Sequence, residues 1–128
     1  MKIYGSGTDI IRIERVKKTI KENKSFKNRI YSKSEIKSCE KRKNNYSCYA
    51  SRFAAKEAFS KSLGTGISKG LSFKEIEIKN DKYGKPFIKV SGNSLKTVYK
   101  IIKRKKFKTF LSISDDKPFA VAFVILTT

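Results

Sequence analysis

Histidine and tryptophan are absent from the 128-residue chain, and acidic residues are scarce: 11 Asp+Glu face 31 Lys+Arg, a formal net charge of +20. The missing histidine excludes a Ser-His-Asp or Cys-His arrangement and any histidine-ligated metal. Acid–base chemistry in such a chain falls to carboxylates, lysines or bound water. No apolar run approaches the roughly 20 residues of a transmembrane helix. The opening Met1-Lys2-Ile3-Tyr4-Gly5 leads straight into patterned sequence rather than into a secretory signal. The expectation is a cytoplasmic protein with no membrane association. Only two cysteines occur, Cys39 and Cys48; they fit no zinc spacing and are expected to be free thiols.

The excess of positive charge attracts polyanions: nucleic acid, acidic protein surfaces and phosphorylated small molecules. Lysine greatly outnumbers arginine, a bias that an AT-rich genome also produces, so charge alone selects no partner. Hydrophobic residues make up 38%, with nine Phe and six Tyr, which argues against disorder. The length suits one domain, residues 1–128, large enough for a genuine core.

Residues 2–6 read as a short strand, and Gly7-Thr8-Asp9 as the start of a helix with Ile10, Ile13, Val16 and Ile20 inward. Thr8 or Asp9 is then simply an N-cap, or Asp9 a first-turn acid favoured by the dipole; the alternative is a functional carboxylate. Phe26 and Ile30 mark a helical turn. Ser32-Lys33-Ser34-Glu35 has the form of a capping box, opening a helix to about Lys43. Phe73, Ile76 and Ile78 approximate strand alternation, Asn80 to Gly84 is turn chemistry, and Lys85 to Val90 completes a hairpin. Gly92-Asn93-Ser94 precedes a helix with Leu95, Val98, Tyr99 and Ile102 inward. Two alternating strands, around Phe107–Ile113 and Phe119–Ile125, close the chain. The order β-α-α-α-β-β-α-β-β predicts an α+β fold, a mostly antiparallel sheet packed on a long helix and shorter ones.

That long helix is the centre of the sequence. Tyr46, Tyr49, Ala50, Phe53 and Ala54 form its buried stripe, and one turn further the stripe meets Glu57. A carboxylate facing inward needs compensation. Ser60 and Lys61 project beside it, and Arg52 and Lys56 form a second pair on the adjoining face. Such pairs also occur on solvated helices, where each contributes only about 0.2–0.5 kcal/mol. The glycine-punctuated loop from Gly64 to Gly70 offers backbone amides to phosphate, or simply stops the helix. Two carboxylates, Asp9 and Glu57, together with substrate phosphates make a normal Mg²⁺ site. Adjacent lysines would neutralise a leaving phosphate, which points to phosphoryl or pyrophosphate transfer.

Gly5-Ser6-Gly7-Thr8-Asp9-Ile10, Arg52-Phe53-Ala54-Ala55-Lys56-Glu57-Ala58 and Lys61-Ser62-Leu63-Gly64-Thr65-Gly66 resemble the signatures of holo-acyl-carrier-protein synthase, the small bacterial-type 4′-phosphopantetheinyl transferase. Leu71 to Ile78 and Gly84-Lys85-Pro86 match in order and spacing, so the resemblance covers essentially the whole chain. It implies the 4′-phosphopantetheinyl transferase fold. It also implies Mg²⁺-dependent transfer of phosphopantetheine from coenzyme A to a serine of apo-acyl carrier protein, releasing adenosine 3′,5′-bisphosphate in support of fatty acid biosynthesis. Homotrimers with active sites at the subunit interfaces are implied as well. By position, Asp9 and Glu57 are the metal-binding acids, and Lys56, Ser60 and Lys61 lie near the coenzyme A phosphates. Gly64, Thr65 and Gly66, with Gly84, Lys85 and Pro86, cradle the nucleotide. Arg52, with Lys43 or Arg42, is the candidate for the 3′-phosphate. Arg12, Arg15, Lys18 and Lys21 on the first helix form the dock for an acidic carrier-protein helix.

One departure concerns the C-terminal strand and turn, where many members of that family have histidines. This chain reads Phe110-Leu111-Ser112-Ile113-Ser114-Asp115, with Asp115 at the later position. In the implied mechanism Glu57, directly or through a metal-bound water, takes the serine proton, and Lys61 stabilises or protonates the departing phosphate. Glu57 as base, as ligand or as both remain alternatives. Two competing classes are a non-catalytic nucleic-acid-binding module, favoured by charge and aromatics, and an inactive carrier-protein binder. The periodic core placement of the aromatics opposes the first; Asp9, Glu57 and Lys61 together oppose the second.

Overall fold

The computed structural model describes residues 1–68 and 70–128. Strand β1 (Ile3–Arg12) runs beside β5 (Phe119–Thr127), which in turn pairs with β4 (Lys108–Asp116), giving an antiparallel sheet in the order β1-β5-β4. A separate hairpin joins β2 (Ile76–Asn80) to β3 (Pro86–Val90). The described residues also form five α-helices: α1 (Ile13–Glu22), α2 (Phe26–Ile30), α3 (Lys33–Glu40), α4 (Asn45–Ser62) and α5 (Gly92–Ile102). A short 3₁₀ turn, Phe73–Glu75, occupies the beginning of the segment expected as a strand. The architecture is α+β, as the order of elements predicts.

The strand expected to end near Ser6 continues to Arg12, so Asp9 lies within β1 and not at the start of a helix. Long-range pairing decides the matter. Asp9 stands opposite Ala122 and Ile11 opposite Ala120, in a ladder with β5 that reaches Arg12. Period-two alternation then puts Gly7, Asp9 and Ile11 on the α4 side, and Ile10, assigned inward on a helix, faces out at 61% exposure. Gly5 and Gly7 let β1 approach the end of α4 closely. A Cβ on Gly5 would strike the Ser62 carbonyl, and one on Gly7 the Ala58 carbonyl.

Helix α4 is buried on several faces, a position made possible by small residues. Ala50, Ala54, Ala55 and Ala58 are fully covered, and Ala120 and Ala122 on β5 are equally covered. Tyr31, Tyr49, Phe59, Val124 and Leu126 supply the large core side chains. The Tyr31 hydroxyl donates to the Tyr49 carbonyl oxygen at 2.7 Å, so its polar tip is satisfied inside the core.

Helix α3 stops at Glu40, three residues short of the expected end, and the capping box at Ser32 and Glu35 is formed. The short connection to α4 brings Cys39 and Cys48 together as a disulfide with Cα atoms 5.5 Å apart. The free thiols expected from the sequence are thus corrected. Antiparallel packing of α3 on α4 places side chains nine positions apart at bonding distance, which no linear spacing rule displays.

Candidate active site

Strand β1 and helix α4 build an acidic cluster. Glu57 and Lys61 sit one helical turn apart, and the close approach at Gly7 brings Asp9 against them. Lys61 Nζ donates to Asp9 Oδ1 at 3.1 Å and to the Thr8 carbonyl oxygen at 3.0 Å. Burial, followed by repulsion from Asp9, raises the Glu57 carboxyl above its ordinary value, while Lys61 pulls it down. The group is thereby a stronger proton acceptor than an exposed glutamate. These residues line a cleft of about 490 Å³ walled by Val16, Phe26 and Phe53, with Arg15 and Thr19 of α1 at its edge.

Asp9 and Glu57 are hard oxygen donors, and no group of three or more His, Cys, Asp or Glu is gathered among the described residues. The donor set fits Mg²⁺, which binds through one or two carboxylates and completes its shell with waters and substrate oxygens. Burial first and repulsion from Asp9 second disfavour the charged Glu57, and a bound cation would offset both.

A second, basic cleft of about 460 Å³ lies elsewhere. Arg42 and Lys43 come from the α3–α4 connection, Ser47, Ser51 and Arg52 from α4, Asn80 and Pro86 from the hairpin, and Asp115 from β4. Arg52 is only 4% exposed. Its guanidinium donates to the Ile78 carbonyl oxygen at 3.2 Å and to Ser38 Oγ and Asn80 Oδ1, each at 3.0 Å. Its buried Nε has no hydrogen-bond partner among the described residues. Burial lowers the Arg52 pKa from its ordinary value, so the site favours an anion that would offset that loss of hydration. Arg52, Lys43 and Arg42 are the residues expected for an anion; Ser47, Ser51 and Asn80 carry no such signal in the sequence and reach the cleft only through tertiary packing.

Arg52 and Glu57 are five positions apart on α4, about 140° around the helix. The residues expected in one site are consequently divided between two clefts of the same chain. The turn at Gly64-Thr65-Gly66 lines neither. It closes the end of α4: Gly64 and Gly66 adopt positive φ, and the Gly66 amide donates to the Ser60 carbonyl oxygen at 3.2 Å. At the hairpin, Pro86 borders the basic cleft, and Lys85 lies in an adjoining groove with Phe87 and Leu111. Gly84, with φ 84°, lies in the exposed turn between β2 and β3 and lines neither the basic cleft nor the adjoining groove.

Two expected coenzyme A contacts are placed otherwise. The Lys56 ammonium is fully buried, donating at 2.7 Å to Glu35 Oε1, to the Phe73 carbonyl oxygen and to the Ile76 carbonyl oxygen. It has no free donor for a phosphate. Ser60 is also covered, and its hydroxyl donates to the Glu57 carbonyl oxygen at 2.7 Å. Glu35 is the residue the sequence missed. Its capping box is visible in the chain, but the same carboxylate also accepts from Lys56 and, at 3.0 Å, from the Ile78 amide.

Of the four basic residues expected on the first helix, Arg15, Lys18 and Lys21 lie on α1, whereas Arg12 is the last residue of β1, held there by its pairing with Phe119; all four are exposed but unlike in surroundings. Arg15 borders the acidic cleft, Arg12 stacks over the Phe119 ring at 5.0 Å, and Lys21 lies 5.9 Å from the Tyr46 ring. Lys18 is exposed on the same helix.

The sequence matches the 4′-phosphopantetheinyl transferase superfamily over residues 5–124. It is 49% identical to the holo-[acyl-carrier-protein] synthase of Pelagibacter ubique over 126 residues, covering 98% of each chain. The fold superposes with a TM-score of 0.82 on a Bacillus anthracis holo-(acyl-carrier-protein) synthase in complex with coenzyme A (3′,5′-ADP), at 38% identity and covering 100% and 99% of the two chains. A Helicobacter pylori holo-[acyl-carrier-protein] synthase in complex with coenzyme A gives a TM-score of 0.81 at 35% identity, covering 95% and 99%. The chain belongs to the 4′-phosphopantetheinyl transferase superfamily. Within it, its place is with the holo-acyl-carrier-protein synthases, and it is an enzyme of that class. A non-catalytic nucleic-acid-binding module has no support beside this match.

Proposed function

We propose that the protein transfers 4′-phosphopantetheine from coenzyme A to a serine of apo-acyl carrier protein, in a Mg²⁺-dependent reaction that supports fatty acid biosynthesis in the cytoplasm. The observation that carries this reading is the Asp9–Lys61–Glu57 cluster, assembled across β1 and α4 with a raised Glu57 pKa. Asp9 and Glu57 would hold Mg²⁺, which when bound supplies positive charge to the pyrophosphate oxygens. Glu57 accepts the proton of the carrier serine, directly or through a water. The serine oxygen bonds to the β-phosphorus as its bond to the bridging oxygen breaks. The electron pair leaves on the 5′-phosphate of adenosine 3′,5′-bisphosphate, and Lys61 offsets that charge. Arg42, Lys43 and Arg52 suit the 3′-phosphate, with the orphaned Arg52 Nε as the strongest local argument. Gly84, Lys85 and Pro86 border the nucleotide. Arg15 and Lys18, with Arg12 and Lys21, offer the acidic helix of the carrier a basic dock.

Division of the site between two clefts supports catalysis between neighbouring copies in a homotrimer, each supplying one cleft. The outer face of the β1-β5-β4 sheet also favours association: Tyr4, Ile10, Phe110 and Phe123 are between 42% and 61% exposed. The test is the intact mass of apo-acyl carrier protein after incubation with the protein, coenzyme A and Mg²⁺. A serine-linked gain of one phosphopantetheine, abolished by chelation, is expected. No gain from a folded sample would overturn the reading.

A further inference from the structure

The Cys39–Cys48 disulfide adjoins the basic cleft. Cys48 lines that cleft with Arg42, Lys43 and Arg52, whereas Cys39 is fully buried behind it. The bond closes the turn that presents Arg42 and Lys43, joining the last turn of α3 to the first turn of α4. Non-covalent ties also hold this turn: the Arg42 amide donates to the Cys39 carbonyl oxygen at 3.0 Å, the Cys48 amide to the Asn44 carbonyl oxygen at 3.2 Å, and Glu40 accepts from the Tyr49 hydroxyl at 2.6 Å and from Lys27 Nζ at 3.4 Å. We propose that Cys39–Cys48 is a site of thiol–disulfide exchange that sets the affinity of the adjacent cleft for a nucleotide bisphosphate.

The chemistry takes a dithiol reductant. Its thiolate attacks Cys48 Sγ, the sulfur of the cysteine that lines the cleft, forming a mixed disulfide and releasing the Cys39 thiolate, which takes up a proton. The second thiol of the reductant then displaces Cys48, and the reductant becomes a disulfide. Two electrons pass to the protein, with one proton to Cys39; the second proton goes to Cys48 or, where Cys48 stays a thiolate, to solvent. Cys48 shares the cleft with Arg42, Lys43 and Arg52 against the single carboxylate of Asp115, and it sits in the first turn of α4, a net positive setting that favours a thiolate. Disulfides are uncommon in reducing compartments and are usually transient there, which suits a reversible tie more than a permanent staple.

Reduction frees the turn that carries Arg42 and Lys43, so the binding-competent arrangement becomes one of several and affinity falls by its fractional population. Coupling is reciprocal. A bisphosphate in the cleft covers Cys48 and neutralises the cations that stabilise its thiolate, and so retards reduction. This inference rests on the nucleotide reading of the basic cleft.

The probe is adenosine 3′,5′-bisphosphate, which, unlike coenzyme A, has no thiol to exchange. Calorimetric titration of the full chain, oxidised and then reduced with a dithiol, is expected to show Kd weakened roughly three- to tenfold on reduction. Saturating bisphosphate should slow reduction, followed by mass after alkylation. A C39S/C48S double variant, verified as folded by circular dichroism, should bind like the reduced protein with or without dithiol. Equal Kd in both redox states would overturn the proposal while leaving the cleft assignment intact. No binding in either state would overturn the cleft assignment and the coupling with it.

Discussion

Lys61 Nζ lies 3.1 Å from Asp9 Oδ1, joining helix to strand across 52 residues of sequence. The same lysine lowers the Glu57 pKa that burial and Asp9 raise. One cation therefore mediates between two carboxylates. Replacing Glu57 with Gln preserves the volume but removes the proton acceptor, and transfer should fall by about 10²–10⁴-fold. Lys61→Ala should lower kcat by about 10²–10³-fold through loss of charge stabilisation at the leaving phosphate. Both variants should remain folded by circular dichroism. Near-normal turnover of Glu57→Gln removes Glu57 from the mechanism.

Arg42 and Lys43 stand in the other cleft, away from that cluster. Neutralising both, as Arg42→Ala/Lys43→Ala, should raise the coenzyme A KM with a smaller change in kcat, because their contacts are made equally in ground and transition states. The KM of wild type should also rise with ionic strength, and the variant's response should be shallower. Identical salt dependence for the two proteins would remove these residues from nucleotide binding.

How much of this was legible in the chain depends on the range over which each signal acts. The capping box at Ser32 and Glu35 and the turn at Gly84 are local, and both appear as read. The Asp9–Glu57–Lys61 grouping was visible through the motif resemblance, yet Asp9 was assigned to the wrong element. Its strand is set by pairing with β5, at the far end of the sequence. Lys56 misled for a related reason: its counter-ion Glu35 lies 21 residues away, so an apparently exposed helical cation is in fact a core residue. Cys39 and Cys48 were near in sequence, but their meeting required the turn between α3 and α4.

The buried Lys56–Glu35 pair makes a sharp stability prediction. Lys56→Met leaves Glu35 ionised or protonated in the core with one ligand gone, and Glu35→Gln leaves the ammonium without its counter-charge. Each single change should destabilise by about 3–5 kcal/mol. In the Glu35→Gln/Lys56→Met double variant neither charge remains, so the loss should be well below the sum of the two. Denaturant unfolding of all four proteins measures the coupling. Strict additivity would show that the two side chains do not act as a pair.

Gly7 tests the link between packing and catalysis. Gly7→Ala drives a methyl group into the Ala58 carbonyl, so β1 and α4 must separate. A cost of about 1–3 kcal/mol is expected from overpacking at a site enclosed by backbone. Asp9 is two residues along the same face, so transfer should fall further than the loss of folded protein explains. An active fraction that matches the folded fraction would uncouple Gly7 from the site.

Glu75 gives the pH dependence with a definite sign. Its carboxylate accepts from Ser94 Oγ at 2.7 Å, from the Ser94 amide at 3.0 Å and from the Asn93 amide at 3.2 Å, capping the start of α5 from outside the helix. The Ser94 side-chain hydrogen bond, aided by the backbone amides and opposed by burial, holds its pKa below the ordinary glutamate value. A folded-state pKa below the unfolded one means that the unfolded chain binds the proton more readily. The contribution is then complete above the unfolded value and is lost as pH falls through the folded value. Glu75→Gln should lower stability at neutral pH by about 1 kcal/mol, the usual scale for a lost cap. The gap between wild type and variant should narrow as pH is lowered from about 7 through the folded-state value, where the wild-type carboxyl takes up its proton too. Urea unfolding across that range reads the gap directly, and a gap that stays constant would mean Glu75 does not act through its charge.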